Sequence, residues 1–244
     1  ILTNIGRSHL EGFGGVEGIR RGKGELFDYL NATGGHAFVP ADDEVLSAMA
    51  AERENMAVEY FAFATSNGVE HQLEGDYNLK TIAGVMSIGR YCDVDENRIR
   101  HAIATYTPTN NRSQRTITER NTLIVDCYNA NPSSMRASLE SFLAEKSEQP
   151  RVCILGDMLE LGEWSAEEHR AILELVVAGD FERIWLVGKN FNEAATAIGN
   201  DVRVSCFASR EEVAEKLDTE PIEGALVLVK GSHSIGLEKL IPLL

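Results

Sequence analysis

The sequence predicts an α/β protein, and three observations carry this prediction. In the second half of the chain, five short apolar runs alternate with helical stretches. These runs are nearly continuous in apolar residues, which is typical of parallel strands buried on both faces. Between the halves, residues 105–115 are polar, contain Pro108 and interrupt the periodicity. We therefore expect two domains, residues 1–108 and 109–244, with a mostly parallel, Rossmann-like sheet in the second.

The opening of the chain predicts a strand, a loop and a helix. The segment ILTNIG is apolar and β-branched enough to end a buried strand, and a Gly-rich loop with Arg7, His9 and Glu11 follows. The predicted helix carries one apolar stripe, formed by Val16, Ile19, Lys23, Leu26, Phe27 and Leu30. Lys23 either snorkels past the edge of the core or is placed inward. A histidine and a carboxylate two residues apart on the preceding turn favour a metal site there.

The rest of the first half predicts short elements. Residues 36–40 form a strand that ends at Pro40, and Asp42 and Asp43 start a helix. Residues 57–74 alternate enough to form one or two strands. Further helices begin near Asn78 and after Asp93.

The second half predicts the parallel sheet and its helices. The predicted strands are residues 122–128, 151–157, 183–188, 203–207 and 225–231. The predicted helices are residues 132–146, 165–178, 190–198, 209–217 and 234–244. Because such sheets bind ligands past the carboxyl ends of their strands, the polar residues at those ends are candidate site residues.

Two interpretations of the segment IVDCYNANPSSM remain open. Asp126 ends a strand, Asn131 is a favourable N-cap, and Pro132 occupies the first helical position. The segment is therefore either a well-capped strand-to-helix turn or a helix N-terminus that receives a nucleotide or another anion.

Two later segments have the same ambiguity. In ILGDMLELGEWSAEEH, Asp157 ends a strand, and Glu160 is either a solvated carboxylate or a ligand contact. From its position in the following helix, His169 is expected to be a surface residue. In LVKGSHSIGLEKL, the turn Lys230-Gly231-Ser232 opens the last helix, so its amides can hold a carboxylate.

Composition narrows the class of protein. The formal net charge of −15 argues against nonspecific nucleic-acid binding, which requires clustered Lys and Arg. The four cysteines have no metal-binding spacing and predict reduced thiols, hence a reducing, cytoplasmic location. No apolar run is long enough for membrane insertion. We expect a monomer, and a chain opening on Ile in a strand predicts a piece of a longer protein.

These segments together resemble the Mur ligase family, ATP-dependent amide-bond ligases of peptidoglycan synthesis. The string T-N-I-G-x-x-H-L-E-G-F-G, a lysine fourteen residues after its histidine, and the strings DCYNANP, GDMLELG and LVKGSHS carry the resemblance. It implies that residues 1–108 are the remainder of a central ATPase-type α/β domain and residues 109–244 the C-terminal domain. The family's phosphate-binding loop, G-x-x-x-x-G-K-[ST], does not occur in the chain. The resemblance implies that it lies before Ile1.

The resemblance also implies roles for individual residues. His9 and a carbamylated Lys23 hold Mg²⁺ and are the catalytic pair. ATP contacts fall on Asn78, Arg112, Asp126, Tyr128, Asn129 and Asn131. Among these, Asn78 lies near the adenine, Arg112 meets the phosphates and Asp126 meets the ribose. The residues implied to contact the amino substrate are Asp157, Glu160, Lys230 and Ser232. The chain departs from the family pattern at Tyr77, Thr81, Cys127 and His233.

The strings DCYNANP and GDMLELG match the branch that joins D-alanyl-D-alanine to UDP-N-acetylmuramoyl-tripeptide through an acyl phosphate. The implied partners are these two substrates, with ATP and Mg²⁺ as cofactors. Another Mur-type ligase, such as a folylpolyglutamate synthase, is an alternative that both strings disfavour. A binding module that takes D-alanyl-D-alanine or a protein partner is the alternative without catalysis. Without a phosphate-binding loop, this chain alone is expected to be inactive.

Overall fold

The computed structural model describes residues 1–244, with the exception of the side chain of Ile198. The chain forms two compact units, Ile1–Thr107 and Pro108–Leu244, which we call unit 1 and unit 2. No helix among the described residues is long and apolar enough to cross a lipid bilayer.

Unit 1 is built from two strands and five α-helices. The strands β1 (His36–Pro40) and β2 (Ala57–Phe61) pair in parallel. The helices are α1 (Leu10–Phe13), α2 (Val16–Thr33), α3 (Glu44–Ala51), α4 (Asn78–Tyr91) and α5 (Glu96–Thr105). The side chain of Asp43 accepts a hydrogen bond from the amide of Leu46 and so caps α3.

The strand predicted at the opening of the chain is wrong, and of the one or two strands predicted in residues 57–74 only β2 forms. Residues 1–6 have no strand partner in the structure, and residues 69–74 are not a strand either. Their apolar side chains are buried without backbone pairing: Leu2 and Ile5 pack against the cluster of Phe27 and Val39. Val69 and Leu73 similarly pack on the helices α4 and α5. An apolar alternation therefore signalled burial here but not a strand.

The apolar stripe of α2 is narrower than predicted. Val16 and Leu26 are exposed, whereas Ile19 and Phe27 are buried. Lys23 lies one turn from each of them on the same row, because residues four apart share a helix face. Lys23 is half-buried between these two core residues, so both interpretations of its position, snorkelling and inward placement, stay open.

Unit 2 contains one six-stranded sheet in the order β3-β4-β8-β5-β6-β7. The edge strand β3 (Gln114–Ile117) is antiparallel to β4, and the other neighbours are parallel. The parallel strands are β4 (Thr122–Asp126), β5 (Arg151–Gly156), β6 (Arg183–Val187), β7 (Val204–Phe207) and β8 (Leu226–Lys230). The mostly parallel sheet predicted from the apolar runs is confirmed.

Unit 2 also contains four α-helices and three 3₁₀ segments, which are Gly162–Trp164, His233–Ile235 and Leu237–Leu243. The helices are α6 (Pro132–Ala144), α7 (Ser165–Ala178), α8 (Lys189–Ile198) and α9 (Arg210–Thr219). The helices α6, α7 and α8 pack in a row, whereas α9 packs with the last 3₁₀ segment, Leu237–Leu243. Right-handed connections that run in opposite directions along a sheet place their helices on opposite faces. The connection from β4 to β5 and the connection from β7 back to β8 run in opposite directions, so α6 and α9 lie on opposite faces of the sheet.

Two predictions for unit 2 were wrong. The predicted linker, residues 105–115, overlaps the first two residues of β3, and the strand itself was missed because QRTI has no apolar run and forms a strand only by pairing with β4. The predicted α-helix at 234–244 is a pair of 3₁₀ segments, His233–Ile235 and Leu237–Leu243. Gly236 between them is left-handed and Pro242 cannot donate an amide, so a continuous α-helix is not available to this segment.

Candidate functional site

A buried ion pair joins the ends of β4 and β8. Asp126 and Lys230 are register partners on these neighbouring strands. The side chain of Lys230 is 0% exposed, and its ammonium donates to Oδ2 of Asp126. It also lies 3.4 Å from the carbonyl oxygen of Asn129. The hydroxyl of Ser138 donates to the same Oδ2 at 2.9 Å, and the amide of Ser113 donates to Oδ1 at 3.3 Å. The carboxylate of Asp126 is thus held from three directions.

An exposed aromatic and cationic surface lies beside this pair. Cζ of Arg112 is 3.6 Å from the centre of the Tyr128 ring, which is cation–π geometry. The ring of His233 is centred 6.2 Å from that of Tyr128. Tyr128 is 47% exposed, so its ring remains accessible. Arg112 and Tyr128, both predicted to contact ATP, are therefore brought together by the fold.

Asn131 is used within the chain. Its side-chain oxygen accepts a hydrogen bond from the amide of Ser134 at 2.9 Å, and the hydroxyl of Ser134 accepts one from the amide of Asn131 at 3.2 Å. This reciprocal arrangement is a capping box at the start of α6. The first interpretation of this segment, a well-capped turn, is confirmed.

Cys127, which departs from the family pattern, is an inert thiol in this structure. It is buried, and its Sγ donates to the carbonyl oxygen of Val229 at 3.3 Å. Burial, with a contribution from the charge of Asp126, raises the pKa of Cys127 to about 12. The group therefore remains protonated at neutral pH and substitutes for a hydroxyl donor.

Asp157 caps the start of α8. Its Oδ2 accepts from the amide and the side-chain amide of Asn190 at 2.9 and 3.0 Å, and its Oδ1 accepts from the amide of Phe191 at 2.9 Å. Gly188 has a φ of 116°, and a Cβ on it would lie 2.5 Å from Cγ of Asp157. Only glycine therefore leaves room for this carboxylate to approach the helix.

His169 is a buried residue, so the expectation of a surface helix residue was wrong. Its Nε2 accepts the amide of Met158 at 3.0 Å, which leaves the proton on Nδ1, where the carbonyl oxygen of Ser165 lies 2.7 Å away. Burial lowers the pKa of His169 and keeps the ring neutral. Although Nε2 is 3.7 Å from Oδ1 of Asp157, this contact is accordingly not an ion pair. His169 shares a helix face with Ile172 and Val176, and that spacing was the missed signal.

The turn after β8 is tied to the loop after β5. The hydroxyl of Ser232 accepts a hydrogen bond from the amide of Leu159 at 3.1 Å, and the amide of Ser232 donates to the carbonyl oxygen of Asp157 at 3.2 Å. Glu160 is exposed on this loop, with a left-handed φ of 61°. The loop that carries Glu160 is therefore positioned by Ser232.

Two of the residues predicted to contact the amino substrate are not placed for direct contact. Asp157 and Lys230 are both buried, and each charged group is occupied by partners within unit 2. Asp157 instead caps the start of α8, and Lys230 holds the carboxylate of Asp126. Sequence alone gave no indication of Ser138, which is polar on the buried face of α6 and contacts Asp126.

In unit 1, Lys23 reaches back to the opening segment. Its Nζ donates to the carbonyl oxygen of Asn4 at 2.9 Å. The side chain is half-buried, and burial lowers the pKa of Lys23. His9 is exposed and precedes α1 in a left-handed conformation with a φ of 58°. Such a conformation is uncommon for residues other than glycine and is often found at functional turns.

An ammonium group cannot bind a cation, so the fit of a metal depends on the state of Lys23. Among the described residues, no group of three or more His, Cys, Asp or Glu side chains is arranged to hold a metal ion. Mg²⁺ typically keeps several waters and takes one or two carboxylates together with substrate phosphates. A carbamate on Lys23 supplies such an oxygen, and His9 a second donor. A Mg²⁺ site at these two residues therefore requires the modified lysine and is a proposal.

The nucleotide candidate of unit 1 lies at the start of α4. The side-chain amide of Asn78 donates to the carbonyl oxygen of Glu74 at 2.6 Å. One turn further, Thr81 borders a mostly apolar groove of about 380 Å³ between α4 and α5, whose lining includes Ile82, Val85 and Ile103.

Fold and site together define a two-unit α/β protein with its ionisable groups at the carboxyl edge of a doubly wound sheet, as in nucleotide-dependent enzymes. Residues 111–233 match the family profile "Mur ligase, glutamate ligase domain", and residues 1–103 match "Mur ligase middle domain". The chain belongs to the Mur ligase family.

Individual relatives agree with this assignment. The UDP-N-acetylmuramoyl-tripeptide–D-alanyl-D-alanine ligase of Treponema pallidum is 36% identical over 175 residues, which cover 70% of this chain and 38% of that protein. The crystal structure of MurF from Acinetobacter baumannii aligns with a TM-score of 0.82 at 23% identity, covering 98% of this chain and 58% of that one. MurF of Thermotoga maritima in complex with ADP aligns with a TM-score of 0.77 at 19% identity, covering 98% and 60%. The chain therefore spans less than two thirds of the length of each relative.

Proposed function

We propose that this chain serves in the ATP-dependent joining of D-alanyl-D-alanine to UDP-N-acetylmuramoyl-tripeptide. The observation that carries the proposal is the carboxyl edge of the unit 2 sheet. There, Asp126 of DCYNANP, the GDMLELG loop and the turn after β8 are held together by hydrogen bonds. Both strings favour this member of the family, and the relative from Treponema pallidum carries the same activity in its name.

Each unit by itself carries proposed nucleotide contacts. In unit 2, Asp126 accepts from the ribose hydroxyls, as acidic residues do at this position of Rossmann-type folds. Arg112 meets the phosphates, and the exposed faces of Tyr128 and Asn129 line their path, above the helix start capped by Asn131. In unit 1, we propose Asn78 at the start of α4 as an adenine contact, on its match to the family pattern. The ADP complex of the Thermotoga maritima relative supports nucleotide binding by this fold.

The proposed metal site consists of His9 and a carbamylated Lys23. Mg²⁺ bound there supplies neutralisation of phosphate charge during phosphoryl transfer. The row of Ile19, Lys23 and Phe27 fixes the lysine stem, so that the modified end group is directed by the helix. Because a carbamate requires a lysine with a free amine, the half-buried position of Lys23 supports the modification.

For the amino substrate, we propose that Glu160 and the turn after β8 form the receiving surface. Glu160 is exposed and carries a charge that can attract the ammonium of a dipeptide. Ser232 and Asp157 position this loop and α8 rather than contact the substrate themselves. His169 acts in the same way through the amide of Met158.

The test is a ligation assay with the full-length gene product. Incubation with ATP, Mg²⁺, UDP-N-acetylmuramoyl-tripeptide and D-alanyl-D-alanine should release phosphate and give a product with the mass of the joined substrates less one water. L-alanyl-L-alanine is the matched control and should give no product. Turnover with a folate and glutamate instead would favour the folylpolyglutamate alternative.

The same assay on the 244-residue chain separates enzyme from binding module. No phosphate-binding loop motif occurs in this chain, so we expect no phosphate release from it. Turnover by the chain alone would show that the nucleotide phosphates are held elsewhere. An inactive full-length protein that still binds D-alanyl-D-alanine in calorimetry would support the binding module.

A further inference from the structure

Lys230 requires an explanation that stability does not provide. A lysine is rarely buried completely, because removing its charge from water is costly even when a partner is present. Replacing a buried ion pair by apolar residues of similar volume is often neutral or stabilising. The Lys230 side chain is nevertheless 0% exposed and paired with Asp126. The sheet does not need this pair, since β8 is apolar and buried along the rest of its length.

The contacts of Asp126 indicate what the pair achieves. Its Oδ2 accepts two hydrogen bonds, from Lys230 and from Ser138. Its Oδ1 accepts one long hydrogen bond, from the amide of Ser113 at 3.3 Å. An ionised carboxylate oxygen accepts about two hydrogen bonds, so Oδ2 is filled and one acceptor position remains on Oδ1. The Asp126 side chain is 13% exposed, which leaves it accessible to a ligand at the sheet edge.

We propose that Lys230 is a positioning residue for nucleotide binding: it locks the carboxylate of Asp126 so that the open acceptor on Oδ1 meets the ribose hydroxyls. The inference rests on the proposed function, because Asp126 must first be the ribose contact. Without Lys230, the carboxylate of Asp126 can rotate about its terminal bond. Nucleotide binding must then order this group, and the entropic cost of doing so weakens the affinity. The effect of Lys230 should therefore depend on the ribose hydroxyls and on no other part of the nucleotide.

The experiment compares ADP with 2′,3′-dideoxy-ADP by calorimetry on the full-length gene product. A hydrogen bond to a charged group predicts that the wild-type protein binds ADP at least about tenfold more tightly than the dideoxy compound. In Lys230→Gln, and equally in Asp126→Asn, this preference should fall to about twofold or less, with the affinity for the dideoxy compound unchanged. The double variant should match Asp126→Asn, since Lys230 acts only through that residue.

Lys216→Gln is the matched control. Lys216 pairs with Glu220 on the exposed surface of α9, so the same substitution there should leave the preference for ADP intact. If Lys230→Gln does not fold, Ser138→Ala removes the second hydrogen bond to Oδ2 without leaving a buried charge unpaired. That variant should lose part of the preference, by about threefold.

Each outcome decides the question. An intact preference in Lys230→Gln, or in Ser138→Ala where the first variant does not fold, overturns the inference. An equal loss of affinity for both nucleotides in Lys230→Gln also overturns it, because that pattern is expected of general structural damage. A wild-type protein that binds both nucleotides equally overturns the ribose role of Asp126 itself. Failure to bind ADP at all overturns the nucleotide site of the proposed function and the inference with it.

Discussion

Replacing Asp157 by asparagine should destabilise unit 2 substantially. The carboxylate accepts three hydrogen bonds at 2.9–3.0 Å, from Asn190 and Phe191 at the start of α8. A hydrogen bond to a charged group contributes about 1.5–3 kcal/mol, against about 0.5–1.5 for a neutral one. The substitution therefore costs roughly 1 kcal/mol per bond, and the helix dipole adds about 0.3–1 kcal/mol. We expect a loss of about 3–4 kcal/mol in the free energy of unfolding.

Urea unfolding followed by tryptophan fluorescence measures this loss. Both tryptophans, Trp164 and Trp185, belong to unit 2, so the signal reports on the unit that contains Asp157. In thermal unfolding, the same change should lower the Tm by roughly 10 °C for a domain of this size.

Asp180→Asn is the control for this substitution. The side chain of Asp180 is 95% exposed and lies 3.6 Å from Arg151, so an exposed pair of this kind contributes about 0–1 kcal/mol. If Asp157→Asn destabilises unit 2 no more than Asp180→Asn does, the carboxylate is not the cap of α8 and the reasoning fails.

Three further predictions concern single side chains. In the full-length gene product, Lys23→Ala should abolish ligation, and a short-chain carboxylic acid should restore part of the activity by replacing the carbamate. Near-normal activity of this variant without any additive would indicate that Lys23 is a snorkelling residue. Burial lowers the pKa of His169 in the folded protein below the ordinary histidine pKa of about 6.5. Below about pH 6.5 the unfolded chain therefore binds more protons than the folded one, and the free energy of unfolding should fall as the pH drops. His169→Gln should flatten this part of the pH profile, and an unchanged slope would contradict a buried neutral ring. In native protein, iodoacetamide should label the exposed Cys92 well before the buried Cys127, whose pKa is raised to about 12; comparable labelling rates by mass spectrometry would show that Cys127 is accessible.

The parallel sheet could be predicted because each of its strands is apolar over most of its length. The five apolar runs correspond to β4 through β8, with ends that differ by one or two residues from the predicted ones. The strand β3 could not be found in this way, because its hydrogen bonds depend on β4 and not on its own side chains. The segment at 69–74 illustrates the converse error, since the burial of Val69 and Leu73 produces an alternation without a strand.

The sequence identified residues of the candidate site, but it could not predict which of them contact one another. The strings placed Asp126 and Lys230 at strand ends, yet only the strand order brings β4 beside β8 and joins the two side chains. His169 was misjudged because a single histidine within a polar helix start resembles a surface residue, although its spacing to Ile172 and Val176 marks the buried face. The roles of the site residues remain predictions for the experiments described above.

The position of β8 has a consequence for how unit 2 folds. β8 is the last strand along the chain, but it lies between β4 and β5, and its residues pair with both. Until residues 226–230 arrive, those two strands present open edges and have no common partner. Contacts between distant parts of a sequence form slowly, and unpaired strand edges are templates for aggregation. A nascent or thermally opened unit 2 is therefore most vulnerable at the strand edges whose carboxyl ends carry Asp126 and Lys230.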